Sequence, residues 1–323
     1  MTASGGAIPS PATTLASGRN IPWLLDRRAA ERADHDFLVS EPPDGPGGRW
    51  TYAGFRAVVR EVAAGLRRRG IGPGDTLVLH LENCPEFLLA WFACTYIGAV
   101  PVCTNTRSAG AELQYFGEHS GAVAAITQPK FASMVGSVLP DLRWIAVTDT
   151  DTGTVAAELP GSGETFDSLR ADDADVTPAA VGPYEAVWIQ YTSGTTSRPK
   201  AVVLTHANAL WTGKVCAAHE GLTPDDVHLV HLPLFHINAL AYSTLSTLWM
   251  GATAVLMPGF SASRFWAVAL RNRCPWTSMI PFTVRALWSR DVPPDHASDT
   301  GGTASARRST TSTSACGRSA GTA

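Results

Sequence analysis

Two long stretches without a charged residue, 87–106 and 237–263, constrain the fold of this chain more than any other feature. Each is long enough to cross a bilayer, so each belongs either to a membrane or to a protein interior. Both are interrupted in the same way, because Gly98 and Gly251 each separate a helix-type segment from a short apolar run. A helix that ends at glycine and leads into a buried strand is typical of layered α/β proteins. We therefore predict no membrane span.

The residues before the first apolar stretch predict a helix start. Asn83 is the expected N-cap, Pro85 falls in the first turn, and Glu86 lies near the positive end of the helix dipole. Later in the chain, residues 279–283 predict a strand, and Thr205 predicts a capped helix start in which His206 is either a second capping group or a neighbour of the preceding loop.

Strand and helix patterns alternate along most of the chain. This alternation predicts an α/β protein made of two α/β/α layered subdomains with parallel-rich sheets. We place the first subdomain at residues 21–183, including a surface connection at 149–183 that is rich in Thr, Gly, Asp and Ala. The second subdomain is predicted over residues 184–294.

The two ends of the chain differ from this pattern. Residues 1–20 are small and polar and predict a disordered arm. Residues 295–323 contain no large aliphatic side chain, so they cannot bury enough surface to offset the entropy of ordering, and they predict a disordered low-complexity tail. A natural flexible tail and a shift of reading frame near residues 293–297 both explain this composition. Translating the other two frames of the encoding DNA distinguishes them.

Charge and cysteine content exclude several classes of protein. The formal net charge of −3 gives no electrostatic footprint for nucleic acid. The cysteines are scattered without a C-x-x-C pair, which argues against a zinc ribbon or a dense disulfide scaffold. This usage fits a reducing compartment, and we predict a cytoplasmic protein.

An apolar strand at residues 187–191 runs into a loop of hydroxyls, glycine, proline and two cations at 192–200. Hydroxyls and free backbone N–H groups on a tight loop form a concavity for anions, and Lys200 supplies a compact positive charge. The loop is not a Walker A motif, because Pro199 and Ala201 stand where that motif needs glycine and a hydroxyl residue. It predicts a phosphate site.

Residues 191–200, YTSGTTSRPK, resemble the phosphate loop of the adenylate-forming superfamily, usually written Y-T-S-G-T-T-G-x-P-K-G. This superfamily includes acyl-CoA synthetases, peptide-synthetase adenylation domains and luciferases. The chain departs from the pattern at Ser197 and Ala201, where the family usually has glycine, and these changes stiffen the loop. Further segments in the family's order lie at 51–52, 70–75, 83–87, 98–100 and 112–113.

The resemblance implies an ATP-dependent acid–thiol ligase of acyl-CoA synthetase type, which forms an acyl-adenylate and then a CoA thioester. Its substrates would be a carboxylic acid, ATP and CoA, with Mg²⁺ offsetting the phosphate charge. The phosphate contacts implied by the matching positions are Thr192, Ser193, Gly194, Thr195, Thr196 and Lys200. Two alternatives stay open: an adenylation domain of peptide-synthetase type, and a non-catalytic remnant that binds nucleotide weakly or only pairs with a partner.

Residues 232–238, LPLFHIN, resemble the family's next motif, P-x-F-H, which implies that His236 lines the acid pocket. His228 and His231 do not complete a metal site with it, because strand positions 228 and 231 face opposite sides and no carboxylate or cysteine is near in sequence. We therefore predict no metal held by side chains.

The family's adenosine-binding motifs, its C-terminal lid domain and the lysine that promotes adenylation have no match in this sequence, so no catalytic residue is assigned. We accordingly expect little or no ligase activity from this polypeptide alone. The measurement is carboxylate-dependent exchange of pyrophosphate into ATP. Exchange at rates near those of full-length relatives would contradict the expectation.

Overall fold

Helices and strands alternate from residue 21 onward in the computed structural model. The structure describes residues 18–45, 47–151, 154–155, 164–172, 176–192, 198–288 and 290. The predicted N-terminal arm, apart from residues 18–20, and the predicted tail lie outside these ranges.

Two of the helices in the described residues end at the predicted glycine stops, Gly98 and Gly251. The helices are α1 Ile21–Glu31, α2 Tyr52–Arg68, α3 Pro85–Ile97, α4 Gly110–Ser120, α5 Pro129–Val138, α6 His206–Glu220, α7 Ser246–Met250, α8 Phe265–Arg271 and α9 Pro281–Trp288. A 3₁₀ turn covers Phe166–Leu169 and a π-helix covers Asn238–Leu245.

The strands are short. They are β1 Asp36–Ser40, β2 Arg49–Thr51, β3 Thr76–His80, β4 Val100–Cys103, β5 Ala124–Thr127, β6 Ile145–Val147, β7 Thr150–Asp151, β8 Thr154–Val155, β9 Glu164–Thr165, β10 Ala186–Thr192, β11 Lys200–Thr205, β12 Val227–Val230, β13 Thr253–Leu256 and β14 Trp276–Thr277.

Most of these strands form two parallel-rich sheets, which confirms the predicted fold class. The seven-stranded sheet has the order β11-β10-β4-β3-β5-β6-β9, and its neighbours are parallel except for β10 and β11. The five-stranded sheet has the order β14-β12-β13-β1-β2, and its neighbours are parallel except for β1 and β2. A separate antiparallel pair joins β7 and β8.

Alternation along the strands shows how the layers pack. Leu77 and Leu79 of β3 belong to a large core shared with the five-stranded sheet, whereas Val78 faces a second core under α4 and α5. On β13, Leu256 joins the large core and Val255 packs with α8 and α9. Helices α1, α2 and α3 contribute to the large core, so helices lie between the two sheets and on both outer faces.

The sequence analysis placed a boundary between subdomains at residue 184. Each of the two sheets contains strands from both sides of this boundary. Strand β10 follows that boundary but pairs with β4, joining Ile189 to Val102, because this apolar strand completes the seven-stranded sheet. Strand β1 precedes the boundary but pairs with β13 of the other sheet, joining Leu38 to Ala254. Each sheet is therefore assembled from both parts of the sequence.

Part of the predicted surface connection at 149–183 forms regular secondary structure. Its described residues include β9, which forms an edge of the seven-stranded sheet, and a 3₁₀ turn with buried Phe166 and Leu169. Arg69 at the end of α2 forms an ion pair with Glu164. These contacts attach this part of the connection to α2.

One local prediction is wrong. Residues 279–283 do not form a strand, because β14 is already complete at Thr277 and Pro281 begins α9, where its fixed φ suits the first turn. The segment before Gly251 is helical, as predicted, and consists of a π-helix followed by α7; the Thr244 hydroxyl donates to the Ala239 carbonyl, five residues earlier, at 2.8 Å.

Among the described residues, no helix combines the length and the apolar character needed to cross a membrane.

Gly65 in α2 provides a test of this packing. A Cβ at this position would lie 1.6 Å from the Leu169 carbonyl oxygen, so we expect Gly65→Ala to destabilise the protein by about 1–3 kcal/mol despite the higher helix propensity of alanine. The measurement is the free energy of unfolding in urea.

Gly136 in α5 is the matched control. The nearest atom to its added Cβ is Ile145 Cδ1 at 3.7 Å, an ordinary contact. We expect Gly136→Ala to be neutral or to stabilise the protein by up to about 1 kcal/mol. Equal effects of the two substitutions would contradict the packing of the 3₁₀ turn on α2.

Candidate functional site

The carboxyl ends of parallel strands from both sheets meet at one cleft. A cavity of about 770 Å³ is lined by residues that follow β3, β4, β12, β13 and β14, among them Asn83, Arg107, His231, Gly259 and Ile280. In open parallel sheets, ligands bind outside the carboxyl ends of the strands, where the chain leaves the sheet. The topology therefore places the cleft where a ligand site is expected.

Strands β10 and β11 form a hairpin beside this cleft. Thr192 and Lys200 are cross-strand partners at the end of the hairpin that leads into its connecting loop, and both are exposed. In the described part of the chain, no carboxylate pairs with the Lys200 ammonium. Ser193, Gly194, Thr195 and Thr196 lie outside the described residues, so the hairpin fixes the two ends of the predicted phosphate loop.

Side chains of α4 contact the two strands of the hairpin next to its connecting loop. The ring of Tyr191 stacks on that of Phe116, with centroids 4.3 Å apart, and its hydroxyl lies 2.9 Å from His119 Nδ1. The Tyr115 hydroxyl donates to the Pro199 carbonyl at 3.2 Å. Desolvation and the neighbouring Tyr115 raise the pKa of Tyr191 to about 12, so its hydroxyl stays protonated. The two strands that enter the loop are thereby held against one helix.

A second, smaller cavity brings the predicted phosphate and acid residues together. Its volume is about 170 Å³, and its wall includes Thr192, Pro199, Phe235 and His236. His236 also lines the larger cavity, together with Phe235 and Asn105. Thr192 at the hairpin end and His236 therefore line one cavity, His236 also lines the adjoining larger one, and Lys200 lies across the hairpin from Thr192.

The surroundings of His236 favour its neutral form. Desolvation lowers the pKa of the imidazole below its ordinary value of 6.5, and the positive charge of Arg107 lowers it further. The neutral form of His236 therefore predominates at neutral pH, and Arg107 contributes a positive charge close to it.

The oxygen atoms at the cleft suit a Mg²⁺ ion that arrives with phosphate. The described residues contain no group of three His, Cys, Asp or Glu side chains that could hold a metal by themselves. Glu112 and Thr192 nevertheless line the smaller cavity and offer a carboxylate and a hydroxyl. Mg²⁺ in proteins is often held by one or two such oxygens and completed by substrate phosphates.

Of three other histidines, His206 and His228 lie away from the open cleft, whereas His231 lines the larger cavity. His206 Nδ1 accepts a hydrogen bond from the Ile21 amide at 3.2 Å, at the end of β11 opposite the phosphate loop. Thr205 and Asn208 form the capping box of α6, so His206 neither caps this helix nor touches the loop ends. His228 packs on Trp276, and His231 lies 3.1 Å from the Thr277 hydroxyl.

Glu220 and His228 form a buried pair below β12. Burial raises the pKa of Glu220 to about 8 and lowers that of His228 to about 3, so a neutral pair is favoured near pH 7. Residue 228 lies at the amino end of β12, on the side opposite the cleft. This pair is therefore part of the interior and separate from the candidate site.

Comparisons with known proteins test the family that the phosphate loop indicated. The model of the AMP-binding enzyme family matches residues 25–320. This chain belongs to that family. The resemblance seen in the sequence is confirmed, since the AMP-binding enzymes are the adenylate-forming group identified from the phosphate loop.

A curated relative in this family is the crotonobetaine/carnitine–CoA ligase of Escherichia coli O139:H28. It is 32% identical over 292 residues, which are 88% of this chain and 55% of that ligase. The chain thus spans about half the length of the curated relatives it matches.

Solved structures show the same fold. Apo MbtA from Mycobacterium smegmatis has a TM-score of 0.75 and 29% identity, over 85% of this chain and 51% of that chain. The inhibitor-bound N-terminal domain of FACL13 from Mycobacterium tuberculosis has a TM-score of 0.71 and 27% identity, over 86% of this chain and 66% of that chain.

The sequence analysis did not assign a role to several residues that line the cavities. Asn105 and Arg107 follow β4 without standing in a recognisable motif, and Glu112 lies in the family-like segment 112–113 but was given no place in the site. Tyr115 and His119 are one helical turn apart, and this spacing is the signal that could have indicated the support under the hairpin.

Arg107 provides an electrostatic test of the cleft. Because its positive charge disfavours the imidazolium form, we expect Arg107→Gln to raise the pKa of His236, measured by titration of the ring signals in NMR. Arg143, which donates to the Gly70 carbonyl before β3, is the control, and Arg143→Gln should leave the value unchanged. An unchanged pKa in Arg107→Gln would show that the guanidinium is not near His236.

Proposed function

We propose that this chain carries the ATP-phosphate and acid-binding surfaces of a carboxylate–CoA ligase. The observation that supports the proposal is the cavity whose wall includes both Thr192 and His236, because a phosphate-binding hairpin and an acid pocket would have to adjoin in this way. In such a ligase a carboxylate oxygen attacks the α-phosphorus of ATP and pyrophosphate leaves. The thiol of CoA then attacks the acyl carbon and AMP leaves.

The hairpin supplies the groups that would hold the polyphosphate. The Thr192 hydroxyl is a hydrogen-bond donor, and the exposed Lys200 ammonium is a positive charge with three donors. Ser193, Gly194, Thr195 and Thr196 are proposed to add hydroxyl and backbone N–H donors between these ends. Binding of this kind positions the β- and γ-phosphates for departure as pyrophosphate.

The acid side of the cleft orients the carboxylate. A neutral His236 can donate one ring N–H without forming a buried ion pair that would weaken the nucleophile. The guanidinium of Arg107 lies on the same wall and favours the approach of an anion to the triphosphate. Phe235, whose ring centroid is 4.7 Å from that of His236, supplies an apolar surface for the acyl group.

The substrate carboxylate and the triphosphate are both negatively charged, and Mg²⁺ would reduce the repulsion between them in this cleft. The residues that fit it are Thr192 and Glu112, which offer oxygen atoms at the cavity wall. Without such a cation the carboxylate of Glu112 would repel phosphate, so the composition of the wall supports binding of ATP as its magnesium complex.

The choice of CoA as thiol is supported by the relative from E. coli, whose name identifies it as a CoA ligase. The acid is proposed only by its class, as a small-molecule carboxylic acid. Because the chain spans about half the length of that relative, the complete two-step reaction is a proposal, and the expectation of little activity from this polypeptide alone stays a prediction.

The test of the phosphate site is binding of Mg-ATP measured by calorimetry. We expect saturable binding to the wild-type chain and a loss of about tenfold or more in affinity for Lys200→Ala, since a charge-assisted hydrogen bond contributes roughly 1.5–3 kcal/mol.

Lys214, an exposed lysine on α6, is the matched control for the removal of one positive charge. Lys214→Ala should bind Mg-ATP as the wild type does. Equal affinities for Lys200→Ala and wild type would contradict the assignment of the hairpin. Absence of binding to the wild type would favour the non-catalytic remnant instead.

A further inference from the structure

Asn83 is a buried side chain that connects the two sheets at the edge of the cleft. Its exposed fraction is 3%, and its Nδ2 donates hydrogen bonds to the carbonyls of Leu232 at 2.9 Å and Met257 at 3.0 Å. Its Oδ1 accepts a hydrogen bond from the Leu234 amide at 2.7 Å. Asn83 follows β3 of the seven-stranded sheet, whereas all three partners follow strands of the five-stranded sheet.

This arrangement corrects the prediction that Asn83 caps α3. The N-cap residue is Cys84, and it makes no side-chain capping bond. An asparagine amide has two N–H donors and one carbonyl acceptor, which matches the two carbonyls and one amide that surround it. These partners are buried, so losing the amide would remove hydrogen bonds that water cannot easily replace.

The segment held by Asn83 leads directly to His236. Two residues after Leu234, the His236 amide donates to the Pro233 carbonyl at 3.0 Å and closes a turn. The His236 carbonyl then accepts from the Leu240 amide at 3.2 Å, where the π-helix begins. The direction in which His236 enters the cleft therefore depends on where residues 232–234 are fixed.

Asn83 is itself fixed from the other side. The Gln128 side-chain Oε1 accepts a hydrogen bond from the Glu82 amide at 3.0 Å, and Gln128 is fully buried after β5. The residue before Asn83 is thus tied to the seven-stranded sheet. Hydrogen bonds connect this sheet, Asn83 and the His236 segment in a continuous series.

We propose that Asn83 is a positioning residue for the acid pocket, whose side-chain amide holds residues 232–236 so that His236 faces the cavity it shares with Thr192. The proposal rests on the proposed function for what the pocket binds, but the positioning itself is a property of the chain without ligand. Asn83 acts through His236 and takes no part in the reaction.

Asn83→Ala tests this role with two measurements on the chain without ligand. Amide hydrogen exchange in residues 232–240 should become about tenfold faster or more. The reason is that the substitution removes hydrogen bonds that oppose local opening of this segment. The pKa of His236 should rise towards 6.5, because the ring regains water when its segment is released. The charged or titratable side chains that line a cavity with His236 keep their identity in this variant: Glu82, Cys103, Arg107, Glu112, Tyr191, His231 and Arg264.

Tyr52→Phe is the matched control. The Tyr52 hydroxyl donates to the Ala252 carbonyl at 2.6 Å and is also buried. Ala252 directly precedes β13, whereas Met257, the partner of Asn83, directly follows it. Tyr52→Phe should lower the stability of the whole protein. It should not change amide hydrogen exchange in residues 232–240 or the pKa of His236. An equal change in the control, or no change in Asn83→Ala, would overturn the proposal.

Two further measurements cover failure of Asn83→Ala to fold. Asn83→Ser keeps one hydroxyl in place of the amide and should give the same changes to a smaller extent. In the wild type, the Leu234 amide should be strongly protected from exchange; rapid exchange there would overturn the proposal. Failure of the wild type to bind Mg-ATP contradicts the proposed function but does not alter these readouts, so the two failures are distinguishable.

Discussion

The common direction of the parallel strands is the constraint on which the candidate site depends. Because the carboxyl ends of strands in both sheets meet at one cleft, the loops after β3, β4, β12 and β13 line the same cavity. No single loop contains a complete binding site. The site exists because the two sheets pack through one shared core and bring these loops together.

Hydrogen bonds determine the relative positions of these loops more closely than the apolar core does. Apolar contact between layers depends little on direction, so it leaves the relative position of two sheet edges free to shift slightly. The amide of Asn83 requires two carbonyls and one N–H group at definite positions, and it finds them on the opposite sheet. On the other side of the cleft, Tyr115 and His119 fix the ends of the phosphate hairpin by the same kind of contact.

The parts of the fold that the sequence predicted are those that depend on neighbouring residues. The helix that ends at Gly98 and the strand after it follow from local pattern, and Gly98 has the left-handed backbone, φ 78°, that such an end requires. The start of α6 at the Thr205 cap is local in the same sense. The order of hydroxyls and cations over residues 192–200 likewise identified the family.

What the sequence could not predict depends on residues far apart in the chain. Strand β1 pairs with β13, more than half of the described chain later, and nothing within β1 specifies this partner. Asn83 precedes a proline and a helix, so it has the local pattern of a cap, while its real partners lie at 232–257. Arg107 has no motif and gains its position only because β4 ends beside the His236 segment.

The most direct test of the account is an experimental structure of the chain with Mg²⁺ and a non-hydrolysable ATP analogue. The account predicts triphosphate density against the loop between Thr192 and Lys200, with its α-phosphate facing the cavity lined by His236. A triphosphate bound on another surface, or a loop that contacts the nucleotide while His236 points away from it, would contradict the claim that one cleft serves both phosphate and acid.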